Sequence, residues 1–254
     1  DKDQDGIYDP LYDYPAYDIK NEYDCRLKET DVLYGDQTLW WVYNDRGNIH
    51  SESQASALGF EIRAQAFAFS TNDEVNNMTF NNYRILNRST FRLTNTYFST
   101  WFDPDLGNAI DDIIGSDIAR GLGYCYNGDA TDEGALGYGA NPPAIGFDFF
   151  QGPFADYFDE VDNDRDGCVD GVRNDEGICV GESPATGVNE RIIMSHFMYY
   201  NNTQSAISGN PANATEFYNY MRARWRNGFP LVIDNPSGPG NPGNGDGIRS
   251  DGTG

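Results

Sequence analysis

Two nine-residue runs constrain this chain more than anything else in it. Asp162-Asn163-Asp164-Arg165-Asp166-Gly167-Cys168-Val169-Asp170 places Asp at positions one, three, five and nine and Gly at six. The chain opens on the same pattern, Asp1-Lys2-Asp3-Gln4-Asp5-Gly6-Ile7-Tyr8-Asp9. Carboxylates at every second residue of a tight loop converge on one point, and Gly permits the sharp turn between them. Hard oxygen ligands in that number suit Ca²⁺ better than a transition metal. The expected metal-binding positions are therefore Asp1, Asp3, Asp5, Ile7 and Asp9, and then Asp162, Asp164, Asp166, Cys168 and Asp170, with Ile7 and Cys168 at position seven.

An EF-hand does not fit. Position twelve is Tyr12 in the first run and Arg173 in the second, where an EF-hand carries a bidentate Glu, and neither run has amphipathic helices on both sides. The runs resemble the helix-poor, Asp-rich loops of thrombospondin type 3 repeats. Asp13 for the first loop, and Asp175 or Glu176 for the second, are open as the source of the missing carboxylate.

The charge balance narrows the partners. Against 17 Lys and Arg stand 40 Asp and Glu, a formal charge of -23, which repels nucleic acid and anionic membrane surfaces. Bound Ca²⁺ would neutralise part of that charge where it is densest. No run of eighteen apolar residues occurs, so membrane insertion is not expected. Aromatic content of 14% is too high for a disordered acidic chain and fits an exposed, strand-rich extracellular domain. Asp1 opens inside a metal loop, as expected of a mature or trimmed fragment.

The four cysteines are Cys25, Cys125, Cys168 and Cys179. Cys168 and Cys179 flank a short Gly- and Asp-rich loop, where a disulfide would clamp the second metal loop and contribute roughly 2–3 kcal/mol in the chain-entropy model. Cys25 with Cys125 then follows by elimination. Zinc is disfavoured, because no CxxC pair occurs and the two His are isolated.

Periodicity predicts a mainly β fold: an antiparallel β-sandwich with long Asp/Gly-rich calcium loops and one C-terminal amphipathic helix. Leu39–Tyr43, Leu58–Phe69, Met78–Asn87, Phe91–Phe102, Gly121–Tyr126, Ala144–Phe150 and Arg191–Tyr200 read as strands, with Asn87-Arg88-Ser89-Thr90 as a hairpin turn. In the second, Leu58, Phe60 and Ile62 should face inward and Glu61, Arg63 and Gln65 outward. Asn213-Ala214-Thr215-Glu216 has capping-box spacing, and Phe217, Tyr220, Met221, Arg224 and Trp225 continue an apolar stripe that Gly228 closes. The expected organisation is a loop and Tyr/Pro segment over 1–30, the sandwich over 31–230 with the second calcium loop inserted at 159–180, and a Gly/Pro-rich linker or start of a next module over 231–254.

A third acidic stretch lies between the strands. Asp103, Asp105, Asp111, Asp112 and Asp117 are interleaved with Ile110, Ile113 and Ile114, which should draw the segment inward. Buried carboxylates need partners or a cation. A third Ca²⁺ site and a set of turn caps paired with Arg120 or Arg92 both account for them. The ordered motifs Asp103-Pro104-Asp105-Leu106-Gly107, Gly115-Ser116-Asp117, Gly121-Leu122-Gly123-Tyr124-Cys125-Tyr126-Asn127-Gly128-Asp129, Gly137-Tyr138-Gly139-Ala140-Asn141-Pro142-Pro143-Ala144 and Phe149-Phe150-Gln151-Gly152-Pro153 follow in turn. Over roughly 31–230 the chain resembles a domain of large secreted surface proteins of the Bacteroidetes, modular proteins often exported by the type 9 system. That resemblance implies an extracellular or cell-surface location and modular neighbours, and assigns no activity.

Two functions follow as expectations. One is a calcium-stabilised extracellular module, adhesive or structural, whose partners are calcium and a glycan or another surface protein, with self-assembly open through edge strands. The other is a carbohydrate-binding or glycoside-hydrolase module using surface aromatics and an acid pair, with Asp111, Asp112, Asp117, Asp148 and Glu61 as undistinguished candidates. Trp40, Trp41, Trp101 and Trp225 are more often core than sugar platforms. No nucleotide loop, HExxH or GxSxG occurs. Ser195 and His196, as neighbours in a strand, should point to opposite faces and form no dyad.

Overall fold

The computed structural model describes residues 34–231. The first loop with Asp1, Asp3, Asp5, Ile7 and Asp9, together with Asp13, Cys25 and the tail beyond Leu231, lies outside the described residues. The chain divides into two compact units between Thr94 and Asn95.

Among the described residues the N-terminal unit is one antiparallel sheet of β1 (Gln37–Asn44), β2 (Phe60–Ala68) and β3 (Thr79–Asn87), with β2 in the middle. Aromatic and β-branched residues on β1 and β3 flank small residues on β2: Trp41, Ala64 and Tyr83 share one row of the register. On the opposite face Phe67 stacks on Phe80 at 5.3 Å, and Phe69 meets Phe80 edge-on at 5.8 Å. The expected alternation on β2 is only partly kept. Leu58 precedes the strand and is exposed, whereas Gln65, expected outward, is buried. A strand paired on both edges is shaded on both faces by its neighbours, which blurs the two-residue period.

Asp45 closes the long connection from β1 to β2. Its carboxylate accepts the N–H groups of Leu58, Gly59 and Phe60, the last two at 2.9–3.0 Å. Partial burial opposes its ionisation, but the N–H groups of Gly59, Leu58 and Phe60 outweigh that and hold the carboxyl below the usual range. A depressed folded-state pKa contributes stability that is complete above the unfolded value of about 3.9 and fades as pH falls through the folded one. The Asp45→Asn variant is therefore expected to lose less urea resistance than the wild type between about pH 5 and about pH 3. Urea midpoints at the two pH values check this; equal losses would contradict it.

Beyond β3 the expected hairpin does not form, and Phe91–Phe102 is not a strand. The Asn87 side chain accepts the Ser89 N–H and donates to the Phe91 carbonyl, 2.9 Å each. This Asx turn redirects the chain away from the ladder.

The C-terminal unit contains three small antiparallel sheets. β4 (Asp112–Asp117) pairs with β5 (Leu122–Asn127); β6 (Thr131–Asp132) pairs with β7 (Gly139–Ala140); β8 (Ala144–Asp148) lies on the other side of β5; and β9 (Gly171–Arg173) pairs with β10 (Cys179–Gly181). A mainly β chain with one helix is what forms. Sheets of two and three strands do not by themselves define the expected sandwich. Arg191–Tyr200 is extended chain with a single bridge, Phe154 to Arg191, rather than a strand. Its Met194 and Phe197–Tyr200 are drawn instead against the core of Ile118, Tyr220, Trp225 and Leu231.

The helix α1 spans Ala214–Tyr220. Asn213 caps it by accepting the Glu216 N–H at 3.1 Å, and Glu216 in return accepts the Ala212 N–H and the Arg226 guanidinium, both at 2.7 Å. The helix stops sooner than the stripe to Trp225 predicts. Ala223 adopts φ +52°, and Trp225 sits in a turn where its N–H donates to the Phe229 carbonyl and its carbonyl accepts from Gly228, each at 2.8 Å. Trp225 still reaches the core, through the turn rather than through another helical row.

Candidate metal centre

The Asp162–Asp170 run folds into a loop held by its own side chains. Asp162 accepts the Gly167 N–H at 3.0 Å, Asp164 the Asp166 N–H at 3.1 Å, and Asp166 the Cys168 N–H at 2.8 Å. Each of these Asp residues thus curls the backbone around its own carboxylate. Gly167 takes φ +89°, a conformation L side chains rarely adopt, which explains Gly at position six. As a result one oxygen from each of Asp162, Asp164 and Asp166 falls within 4.8 Å of the others, a group able to hold a metal ion.

The loop is braced from behind. Cys168 and Cys179 form a disulfide with Cα atoms 5.6 Å apart, as the spacing led us to expect. Cys125 is buried and, among the described residues, free; Cys25, its partner in the pairing inferred by elimination, lies outside the described residues. Arg173, at position twelve, is a brace and not a ligand. Its N–H donates to the Asp166 carboxylate, and its guanidinium donates to the carbonyls of Asp166 at 2.9 Å and Gly177 at 2.8 Å. Asp170 turns away from the trio to accept the Glu160 N–H at 2.9 Å. Asp175 and Glu176 lie in the exposed turn between β9 and β10, outside the group of converging carboxylates.

Sequence reading missed Glu190. This side chain is 0% exposed. One carboxylate oxygen accepts the Asn163 amide at 3.4 Å, and the other is buried without a hydrogen-bond partner, as is one oxygen of Asp162. The Ile193 N–H donates to the Asn163 carbonyl at 3.4 Å, which lays the 190–193 segment alongside the loop. Electrostatics agree with this crowding. Burial raises the Asp164 carboxyl above its ordinary range, and the charges of Asp166 and Asp162 add to it. Burial also raises Glu190, with the Asp164 charge adding and the Asn163 amide and the backbone N–H groups of Asn163 and Gly171 opposing. Only the position of Glu190, twenty residues past the loop, hid it; no local motif marks it.

The third acidic stretch is not gathered. Among the described residues only Asp162, Asp164 and Asp166 converge as a metal-sized group, so Asp103, Asp105, Asp111, Asp112 and Asp117 do not build a comparable cage. Asp117 caps the 3-10 turn Ile118–Arg120 and pairs with Arg120 at 2.6 Å; Asp112 accepts the Leu106 N–H at 3.0 Å. Ile110 does not draw the segment inward, being 90% exposed, and the anchoring residue is Asp132, 2% exposed, which accepts the N–H groups of Asn108 at 3.1 Å and Tyr138 at 2.8 Å.

Two other expectations change. Ser195 and His196 do touch, Oγ to Nδ1 at 2.9 Å, because their segment is not a strand and the opposite-faces rule does not apply to it. Burial lowers the basicity of His196, opposed by backbone groups of Met221 and Tyr220 at the end of α1. Glu61 is tied to Arg63 at 3.0 Å and Arg88 at 3.1 Å, an ion-pair brace on the N-terminal sheet. Of the tryptophans, Trp225 is core, Trp40 half-buried, and Trp41 and Trp101 exposed.

Compared with known proteins, the chain matches no family model, no curated protein and no solved structure. Among the described residues no helix is long and apolar enough to cross a membrane.

Proposed function

We propose that the chain is a calcium-binding, calcium-stabilised extracellular module of a bacterial surface or secreted protein, adhesive or structural in role. The convergence of Asp162, Asp164 and Asp166 behind a disulfide-braced loop carries this reading. Three carboxylates in one small volume repel each other, and a hard divalent cation relieves that repulsion, so metal binding and folding are coupled. The disulfide supports an oxidising compartment, consistent with the resemblance to Bacteroidetes surface proteins. The Asp residues act as structural ligands. Flexible, multi-oxygen coordination favours Ca²⁺ over Mg²⁺, which keeps its waters and demands a tight octahedron. Native mass spectrometry in about a tenfold excess of Mg²⁺ over Ca²⁺ is expected to retain bound Ca²⁺. Displacement by Mg²⁺, or no bound metal, would count against the assignment.

A glycan-binding role is the second reading. Trp41, Tyr43 and Tyr83 are all exposed, and their register rows place them on one face of the N-terminal sheet across small Ala64. Flat exposed rings of this kind stack on sugars. Loss of glycan-array signal in Trp41→Ala would support it, and an array without signal would remove it.

A further inference from the structure

We propose that Glu190 is the carboxylate that closes the metal shell of the 162–170 loop, so that the bound cation ties the 189–192 segment to it. The inference rests on the metal-binding reading above and names the ligand which that reading leaves open. A calcium loop of this kind needs a carboxylate from outside its first nine residues. Position twelve cannot give it, because Arg173 stands there and is spent on Asp166 and Gly177. Asp170 already accepts the Glu160 N–H, and Asp175 and Glu176 are exposed in the turn between β9 and β10.

Glu190 is different in kind. It is fully buried beside Asn163 and Asp164, positions two and three of the loop; the backbone N–H groups of Asn163 and Gly171 lie near its carboxylate, but one of its oxygens makes no hydrogen bond. No described ion pair engages it, and the neighbouring Arg191 lies over the Phe154 ring at 3.5 Å and donates to the Gly152 carbonyl at 3.1 Å. A buried, ionised carboxylate without a cationic partner is strongly disfavoured: it takes up a proton unless a metal supplies the charge.

Its neighbour Glu182 provides the contrast. Glu182 is also buried, but both its oxygens accept backbone N–H groups, from Phe158 at 2.6 Å and from Glu190 at 3.4 Å. Both oxygens of Glu182 are hydrogen-bonded, and one oxygen of Glu190 is not. The backbone around Glu190 is set firmly: the Ala155 N–H donates to its carbonyl at 3.1 Å, and the Ile192 N–H to that of Pro153 at 2.9 Å. Glu190 stands outside the three carboxylates that already converge, so a cation shared with it would draw it to them and cross-link the loop to the 153–155 and 190–192 pair.

The test is thermal unfolding of the full chain, wild type against Glu190→Gln and Glu182→Gln, each in Ca²⁺ and in chelator. In Ca²⁺, Glu190→Gln is expected to unfold below the wild type. In chelator the order reverses or closes, because the variant no longer buries a charge. Glu182→Gln is expected to fall below the wild type by a similar amount in both conditions. Ca²⁺ affinity of Glu190→Gln should fall at least as far as the about 10- to 100-fold that outer-shell partners already command. Terbium luminescence lifetimes should report about one or two more metal-bound waters in Glu190→Gln, and an intermediate value in Glu190→Asp, which keeps the charge on a shorter arm. A wild type that responds to Ca²⁺ together with a Glu190→Gln that responds equally overturns the role of Glu190 and leaves the metal site standing. A deficit of Glu190→Gln that is the same with and without Ca²⁺ overturns it as well. A wild type indifferent to Ca²⁺ overturns both readings.

Discussion

Removing calcium is expected to lower the unfolding midpoint of the C-terminal unit by about 5–11 °C. With about 1 mM free Ca²⁺ and a dissociation constant of about 10 µM, binding to the folded state alone contributes about 2.7 kcal/mol. Each kcal/mol moves the midpoint of a domain of this size by about 2–4 °C. The shift arises because Asp162, Asp164 and Asp166 are brought within 4.8 Å by the fold and relax apart on unfolding, so the cation has high affinity for one state only. Differential scanning calorimetry with and without chelator measures it. Added salt should not reproduce the effect, since screening of surface charge differs from ligation. A midpoint unchanged by chelator would mean that the loop holds its shape without metal.

Replacing Trp225 by Ala is expected to destabilise the C-terminal unit by about 3–5 kcal/mol, a large share of a domain's usual stability. Trp225 is 5% exposed and packs with Ile118, Tyr220 and Leu231, meeting the Tyr199 ring edge-on at 5.8 Å. Beside it the Tyr220 hydroxyl donates to the Gly209 carbonyl at 2.7 Å, and burial pushes its pKa up to about 12. The whole turn from Tyr220 to Leu231 is thereby fixed around one indole. Circular dichroism melts of Trp225→Ala against the exposed-site control Trp101→Ala check this. A loss under about 1 kcal/mol at Trp225 would mean that the core lies elsewhere.

The sequence makes local features legible and leaves distant ones dark. Gln37–Asn44, Phe60–Ala68, Thr79–Asn87, Leu122–Asn127 and Ala144–Asp148 all form where β-branched and aromatic runs placed strands, and Asn213 caps the helix as its spacing to Glu216 implies. The Cys168–Cys179 bridge was likewise visible, because both partners belong to one short loop. The errors share a cause. Phe91–Phe102 and Arg191–Tyr200 have strand-like composition but find no edge to pair with, and composition cannot report whether an edge is free. Asp112–Asp117 has an acidic reading and yet forms a strand, because its hydrogen bonds to Leu122–Asn127 outweigh its propensity.

The same division runs through the metal centre. Alternating Asp and a Gly at position six are local, so Asp162, Asp164, Asp166 and Gly167 were readable. Cys168 carries the disulfide at position seven, Asp170 is drawn to Glu160, and Glu190 arrives from another segment altogether. Only a folded backbone could bring that last carboxylate in.

Whether the 162–170 loop binds calcium is decided by isothermal titration of Ca²⁺ into the wild type and into Asp164→Asn, since Asp164 belongs to the converging trio. Saturable binding is expected in the wild type, and the loss of one binding event, or its weakening by about tenfold or more, in Asp164→Asn. Identical isotherms for the two proteins, or no heat of binding with either, would contradict it.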